Sequence, residues 1–335
     1  IKEGKLGGMS YKSINGLMKH LRDNGIEING SKQKQQLRNY GYYHGYKGYR
    51  FFQQSNKKIP FSKFDEIDAT IRFDTQLKAL FYDKIMFIET ALKNIALECI
   101  LKDANSENIQ DMYDKVICGY HDCPVGSDNN TKKKAQIQKL KLENRIQSSL
   151  SNAYRDNNPK ITHFYNNMGY SGVPLWALFE IFTLGDFGFL LECLKISSRK
   201  SISKAMDLDD VSIDTNRELI YKYVYTIKDL RNAIAHNSVI FDTRFRKIEP
   251  TPAMKAFLKQ KFSLPYVNFK TIGDYLFLVC YYLQALSVTK TEIKGFIRDF
   301  EKIINNYQNS VSSQVYSIVI HPDLLGRIAK VKNYI

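Results

Sequence analysis

Residues 61–103 constrain this chain more than any other stretch. In "FDEIDATIRFDTQLKALFYDKIMFIETALKNIALECI", Leu77, Leu80, Phe81, Ile85, Ile88, Leu92, Ile95 and Ala96 recur three and four apart. A strand would alternate every second residue, whereas this spacing puts one broad apolar stripe along an α-helix. A helix of that length must bury its stripe against other helices. Similar patterns recur at about 174–197 ("PLWALFEIFTLGDFGFLLECL"), 215–237 ("TNRELIYKYVYTIKDLRNAIAH") and 273–304. Parallel-sheet signals are absent, and the single β-like run is "VYSIVI" near the end. The pattern predicts an all-α chain built on a four-helix bundle.

Around this bundle the pattern changes twice. Residues 1–60 hold 12 Lys/Arg against 3 Asp/Glu and read as a basic N-terminal helical module. It has a helical spacing at Ile14, Leu17, Met18 and Leu21, then a short polar helix that runs into the Gly/Tyr-rich turn "GYYHGYKGYRFF". Residues 61–335 form the helical domain, with an insertion at about 104–172. Polar, irregular chain is expected over 104–135, and Lys132–Lys134 there read as a solvated loop. A shorter helix is expected near 136–156, followed by the turn-rich "NNPKITHFYNNMGYSGVP". Gly185 and Gly188 suggest a bend or a close helix contact.

Charge narrows the partners. The formal net charge is +15 and the pI near 9.3, a balance that favours polyanions: nucleic acid first, an anionic membrane surface second. The longest apolar run, "YLFLVCYYLQALSV" at 275–288, is shorter than the roughly 20 residues of a membrane span and reads as a buried helix. No membrane partner is expected. Five cysteines scattered over the chain argue against a disulfide scaffold and for a reducing compartment. The visible sequence shows no secretory signal, and a cytoplasmic location is expected. No helix-turn-helix signal supports a DNA-binding reading.

"LRNAIAHNSV" at 230–239 closes the third helical pattern with Arg231, Asn232 and His236. Histidine moves protons near neutral pH, and arginine holds a phosphate through paired hydrogen bonds. Together they suit phosphodiester cleavage in RNA, the histidine acting on the 2′-hydroxyl or the leaving oxygen and the arginine on the phosphoryl charge. Such chemistry needs no metal and no cofactor. Five residues on a helix turn the chain by about 500°, so the two side chains point roughly 140° apart. A two-fold dimer that pools two such pairs answers this, unless the helix stops at Ala235 and His236 swings round. The plain alternative is a helix C-terminus, where basic side chains suit the dipole and Asn237 caps.

Other candidates carry similar alternatives. Tyr43, His44, Lys47 and Arg50 interleave rings with cations, as single-stranded RNA contacts do; packing of the tyrosines on the bundle is the other reading. Glu89 and Glu180 lie on apolar helix faces; each alone reads as a solvated helix edge, and the other reading is a buried carboxylate that pairs with Arg231 and orients it. Trp176 reads as core. "CGYHDC" offers Cys118, His121 and Cys123, but zinc wants a fourth ligand, so no metal site is expected.

"IKDLRNAIAHNSVIFDTRF" resembles the motif of the abortive-infection family of bacterial phage-defence proteins, the AbiD/AbiF-like group, with its HEPN-type R-x4-6-H pattern. Three further segments are similar to that family, in the same order: "LRNYGYYHGYKGYRFF" (37–52), "FDTQLKALFYDKIMFIETALKNIA" (73–96) and "PLWALFEIFTLGDFGFLL" (174–191). The resemblance spans about 37–300. It implies an all-helical HEPN-like fold, often dimeric, and either a metal-independent endoribonuclease or a non-cleaving RNA-binding relative. It implies Arg231 and His236 as the essential pair, with Asn232 as the polar residue beside the arginine. Family members act as toxins restrained by a partner, in some cases a structured small RNA. The chain departs from the family downstream, where Asn237 and then "VIFDTRF" lack the usual tryptophan. Asn237 and Arg244 are the expected RNA contacts there, Arg244 standing in as the basic one.

Overall fold

The apolar stripe becomes one unbroken helix, Phe64–Ala104, in a computed structural model that describes residues 13–54, 56–167 and 172–335. Leu77, Phe81, Ile85, Ile88, Leu92 and Ala96 are buried along it, while Leu80 and Ile95 flank the core. Two helices precede it, α1 (Ile14–Asp23) and α2 (Gly30–Tyr40), so the long helix is α3. The Glu66 carboxylate accepts hydrogen bonds from the backbone of Ser62 (2.8 Å) and Lys63 (3.3 Å) at the start of α3, and from Ser312 N (3.0 Å) far along the chain. Burial opposes ionisation of Glu66, but these hydrogen bonds outweigh it and hold the carboxyl below its ordinary 4.5. A depressed folded pKa stabilises above the unfolded value and is lost as pH falls through the folded one. Glu66→Gln is therefore expected to cost about 1–2 kcal/mol near neutrality. In urea melts run at descending pH, its deficit against the wild type should close below the carboxyl range; a deficit that ignores pH would refute this account.

The Gly/Tyr-rich segment is wound rather than a loose turn. Gly41–Lys47 forms a π-helical turn that continues α2. A side chain at Gly45 would sit 2.9 Å from Tyr40 Cβ, so only glycine lets this wide turn close. Tyr46 and Tyr49 pack inward, whereas Tyr43 is 74% exposed, so the two readings of these rings hold for different tyrosines. The Tyr49 hydroxyl donates to Asp74 (2.9 Å), and Gln53 N donates to Asp242 (2.7 Å). These bonds seat the segment on the helical domain.

Beyond α3 lie α4 (Ile109–Lys115), a 3₁₀ turn at Tyr120–Asp122, α5 (Asn129–Arg155) and α6 (Pro159–Asn166). The irregular stretch expected over 104–135 is thus largely structured. Asp128 caps α5 by accepting from Thr131 N (2.8 Å), so Lys132–Lys134 stand on the first turns of a helix, not on a loop. The turn-rich "NNPKITHFYNNMGYSGVP" is helical in its first half, where α6 starts at Pro159 with Asn158 as its cap, and residues 168–171 of it lie outside the described residues. The helix expected over 174–197 is two helices, α7 (Leu175–Ile181) and α8 (Leu184–Cys193), because Thr183 caps the second by accepting from Asp186 N (3.1 Å). Then follow α9 (Ile196–Ala205), α10 (Leu219–Ala235), α11 (Pro252–Lys261), α12 (Ile272–Ala285), α13 (Lys290–Gln308), α14 (Ser313–Val319) and α15 (Leu324–Tyr334). The run expected over 273–304 breaks between α12 and α13, where Thr289 and Glu292 form a capping box. "VYSIVI" is not a strand: Val315 and Val319, four apart, turn one buried face of α14 inward.

The chain is all-α, as the periodicity predicts; the described residues contain isolated β-bridges but no strand. α3 packs on α10, α12 and α13, and α10 packs closely on α8. That last contact depends on Gly188, where a Cβ would fall 2.7 Å from the Tyr225 ring. The ring is tethered, since its hydroxyl donates to Glu192 (2.9 Å). Gly188→Ala should cost about 1–3 kcal/mol by overpacking; an unchanged thermal melt would show that the helices separate freely. Among the described residues no helix is long and apolar enough to cross a membrane.

Candidate active site

Leu219, Tyr223, Ile227 and Leu230 bury one face of α10, which carries its other face to a cleft beside the N-terminal segment. The helix ends at Ala235, and His236 is its C-cap with φ −91° and ψ 11°. Its N–H still closes on Asn232 O (2.9 Å), but Asn237 turns left-handed at φ 50°, and Ser238 N returns to Ala233 O (2.8 Å). Asparagine tolerates this conformation as few residues do, and it stops the helix. The motif is therefore a helix C-terminus and also the wall of a cleft.

That cleft has a volume of about 490 Å³ and is lined by His236, Asn232, Tyr43, His44 and Arg244, among others. It gathers five of the nine residues singled out from the sequence, from segments almost two hundred positions apart. The His236 side chain is exposed and makes no hydrogen bond with the described residues. Arg231 does not line the cleft. Its Nε lies 3.5 Å from Glu89 Oε2, and its Nη1 donates to Asn232 Oδ1 (3.2 Å). The Glu89 contact is charge attraction without a hydrogen bond, since that buried oxygen has no hydrogen-bond partner among the described residues. The other Glu89 oxygen accepts from Lys93 (3.2 Å), which also donates to Phe182 O (2.7 Å). Arg231 thus holds the Asn232 amide by its oxygen and leaves the NH₂ as that group's donor.

Glu180 does not face Arg231; it pairs with Lys160 at the surface. Trp176 is not core: it is 45% exposed and donates to Glu107 (3.2 Å), while Leu175, Ala177 and Leu178 take the buried side of α7. Lys47 stands 4.4 Å from the centre of the Tyr43 ring, and Arg50 the same distance from the Phe51 ring; neither lines the cleft. Arg244 grips Asp242 through Nε (2.8 and 2.9 Å) and donates to Gly48 O (2.8 Å) and Phe51 O (2.6 Å). It clamps the N-terminal segment and borders the cleft at once. The Cys118 and Cys123 thiols both point to Gly119 O, and burial and the neighbouring Cys123 push Cys118 up to about 11. Among the described residues no cluster of three His, Cys, Asp or Glu side chains is arranged to hold a metal ion.

Sequence reasoning missed the support beneath the cleft. Lys78 donates to Asn237 Oδ1 (2.9 Å) and pairs with Asp74 (2.8 Å). Asp74, fully buried, also accepts from Ile240 N and Phe241 N (2.8 Å each) and from Tyr49. The signal was present: an acid and a base four apart on the apolar side of α3, where a charge persists only if paired.

Comparison with known proteins agrees with the resemblance carried by the motifs. The family model for Abi-like proteins matches residues 35–242, which include the Tyr-rich segment, α3, α7, α8 and the whole "LRNAIAHNSV" motif. No curated protein and no solved structure matches the chain. With well over half of its length matched, the chain belongs to the Abi-like protein family.

Proposed function

We propose that the chain is an endoribonuclease of bacterial phage defence that cleaves RNA by 2′-hydroxyl attack and requires no metal. The observation that carries this reading is the cleft itself. A histidine with no hydrogen-bond partner among the described residues, an amide held to donate, and a second histidine border one opening in a chain of net charge +15. In the reaction the 2′-oxygen attacks phosphorus and its proton passes to a base. The bond from phosphorus to the 5′-oxygen breaks, and the leaving oxygen takes up a proton. The products are a 2′,3′-cyclic phosphate and a 5′-hydroxyl. His236 transfers a proton, Asn232 donates to a phosphoryl oxygen, and Arg231 supplies positive charge. Because Arg231 sits behind Asn232, a homodimer would let one copy's Arg231 approach the other copy's cleft. Family membership supports the defence role, with an RNA or protein partner holding the activity in check in the cytoplasm.

One observation favours a second reading. The Arg231 guanidinium is already engaged by Glu89 and Asn232, as in a scaffold that binds a structured small RNA without cutting it. Labelled tRNA and single-stranded RNA, incubated with wild type and Arg231→Ala, separate the two. Cleavage by the wild type, lost in the variant while salt-sensitive binding persists, supports the nuclease. Tight binding with no cleavage by RNA-free wild-type protein supports the scaffold.

A further inference from the structure

We propose that His44, delivered by the N-terminal π-helical turn, is a catalytic residue that donates Nδ1–H to a non-bridging oxygen of the scissile phosphate. The proposal rests on the ribonuclease reading above. The Lys78 ammonium can only donate, so the atom of Asn237 it meets at 2.9 Å is the amide oxygen. The Asn237 nitrogen is then the atom 3.2 Å from His44 Nε2. That nitrogen donates, so His44 Nε2 accepts and the ring proton resides on Nδ1. His44 lines the cleft, and its other nitrogen, Nδ1, is therefore a hydrogen-bond donor from which no described residue accepts.

A donor of this kind is what the transition state asks for. As the 2′-oxygen bonds to phosphorus, negative charge grows on the non-bridging oxygens, and a donor fixed in advance stabilises it without reorganisation. Asn237, Lys78 and Asp74 are positioning residues: Asp74 holds Lys78, Lys78 orients the amide, and the amide selects the tautomer. The same Asp74 takes Tyr49 at the end of the His44 segment and the backbone of residues 240 and 241 just beyond Asn237. One buried carboxylate thus ties both histidine-bearing segments to α3. Cleavage would then require the N-terminal segment as part of the site and not only as a grip on RNA.

The test uses RNA with a single phosphorothioate at the cleaved position, because sulfur accepts hydrogen bonds poorly. His44→Ala should lower the single-turnover rate by about 10²–10³-fold. The penalty for sulfur at one non-bridging position, present in the wild type, should vanish in that variant. His44→Asn, which restores a donor near Nδ1, should recover more rate than His44→Gln. Asn237→Gly keeps the left-handed backbone but removes the amide, and should show a smaller fall with loss of the Nδ1–H tautomer in ¹⁵N NMR. An equal sulfur penalty in wild type and His44→Ala overturns the proposal. If the wild type cleaves nothing, the ribonuclease reading fails, and the contact is then judged with an uncleavable 2′-deoxy dinucleotide. A shift of His44 Nδ1 on its addition keeps the phosphate contact, and an unmoved His44 removes it.

Discussion

Replacement of His236 by alanine is expected to slow RNA cleavage by about 10²–10⁴-fold, the range for loss of a proton-transfer group. Affinity for RNA should stay close to that of the wild type. The separation follows from where His236 sits. It is exposed at the C-cap of α10, it makes no hydrogen bond with described residues, and its side chain packs no core. Alanine there leaves the Asn237 turn and the return bond from Ser238 to Ala233 intact. Under the proposed function, binding would rest on the net charge of +15, which one neutral or singly charged ring barely alters. Single-turnover rates measure the first quantity and fluorescence anisotropy the second. A variant that cleaves at the wild-type rate would remove His236 from the chemistry.

Asp74→Ala should cost about 3–5 kcal/mol of stability, the range for breaking a buried ion pair from one side. Four donors lose their acceptor together: the Lys78 ammonium, the Tyr49 hydroxyl, and the backbone N–H of Ile240 and Phe241. None of them gains water easily, since Asp74 is fully buried and Lys78 nearly so. Asp74→Asn keeps an acceptor but loses the charge, and should fall between the two. Urea denaturation of the three proteins checks the order. A loss under about 1 kcal/mol in Asp74→Ala would mean that the donors find other partners.

The parts of this architecture legible in the sequence are those set by local periodicity. The α3 stripe needed no tertiary information, and neither did the burial of Tyr223, Ile227 and Leu230 on α10. The breaks were harder because apolar periodicity runs through them. Thr183 with Asp186, and Thr289 with Glu292, are capping signals inside stretches that otherwise read as continuous helix. Competition between a cap and an apolar run is decided by packing, which no window of sequence contains. In "VYSIVI" the β-branched residues favour a strand, but with no strand among the described residues to pair with, the segment folds as a helix whose Val315 and Val319 face the core.

The candidate site divides along the same line. The spacing of Arg231 and His236 and the polar residue between them were legible, as was the condition that a helix ending at Ala235 would free His236. The neighbourhood of His44 was not, because it joins residues 193 positions apart through one asparagine amide. Arg244 could be read only as a basic residue near the motif. Its bonds to Gly48 and Phe51 exist because the N-terminal segment docks there.

Under the proposed function, this cleft cuts RNA by its own side chains. The most direct test is the chemical end left on 5′-labelled RNA by wild-type protein in EDTA. Fragments ending in 2′,3′-cyclic phosphate, formed at an undiminished rate, are the expected result. Cleavage that stops on chelation, or fragments that carry 3′-hydroxyl and 5′-phosphate ends, would contradict it.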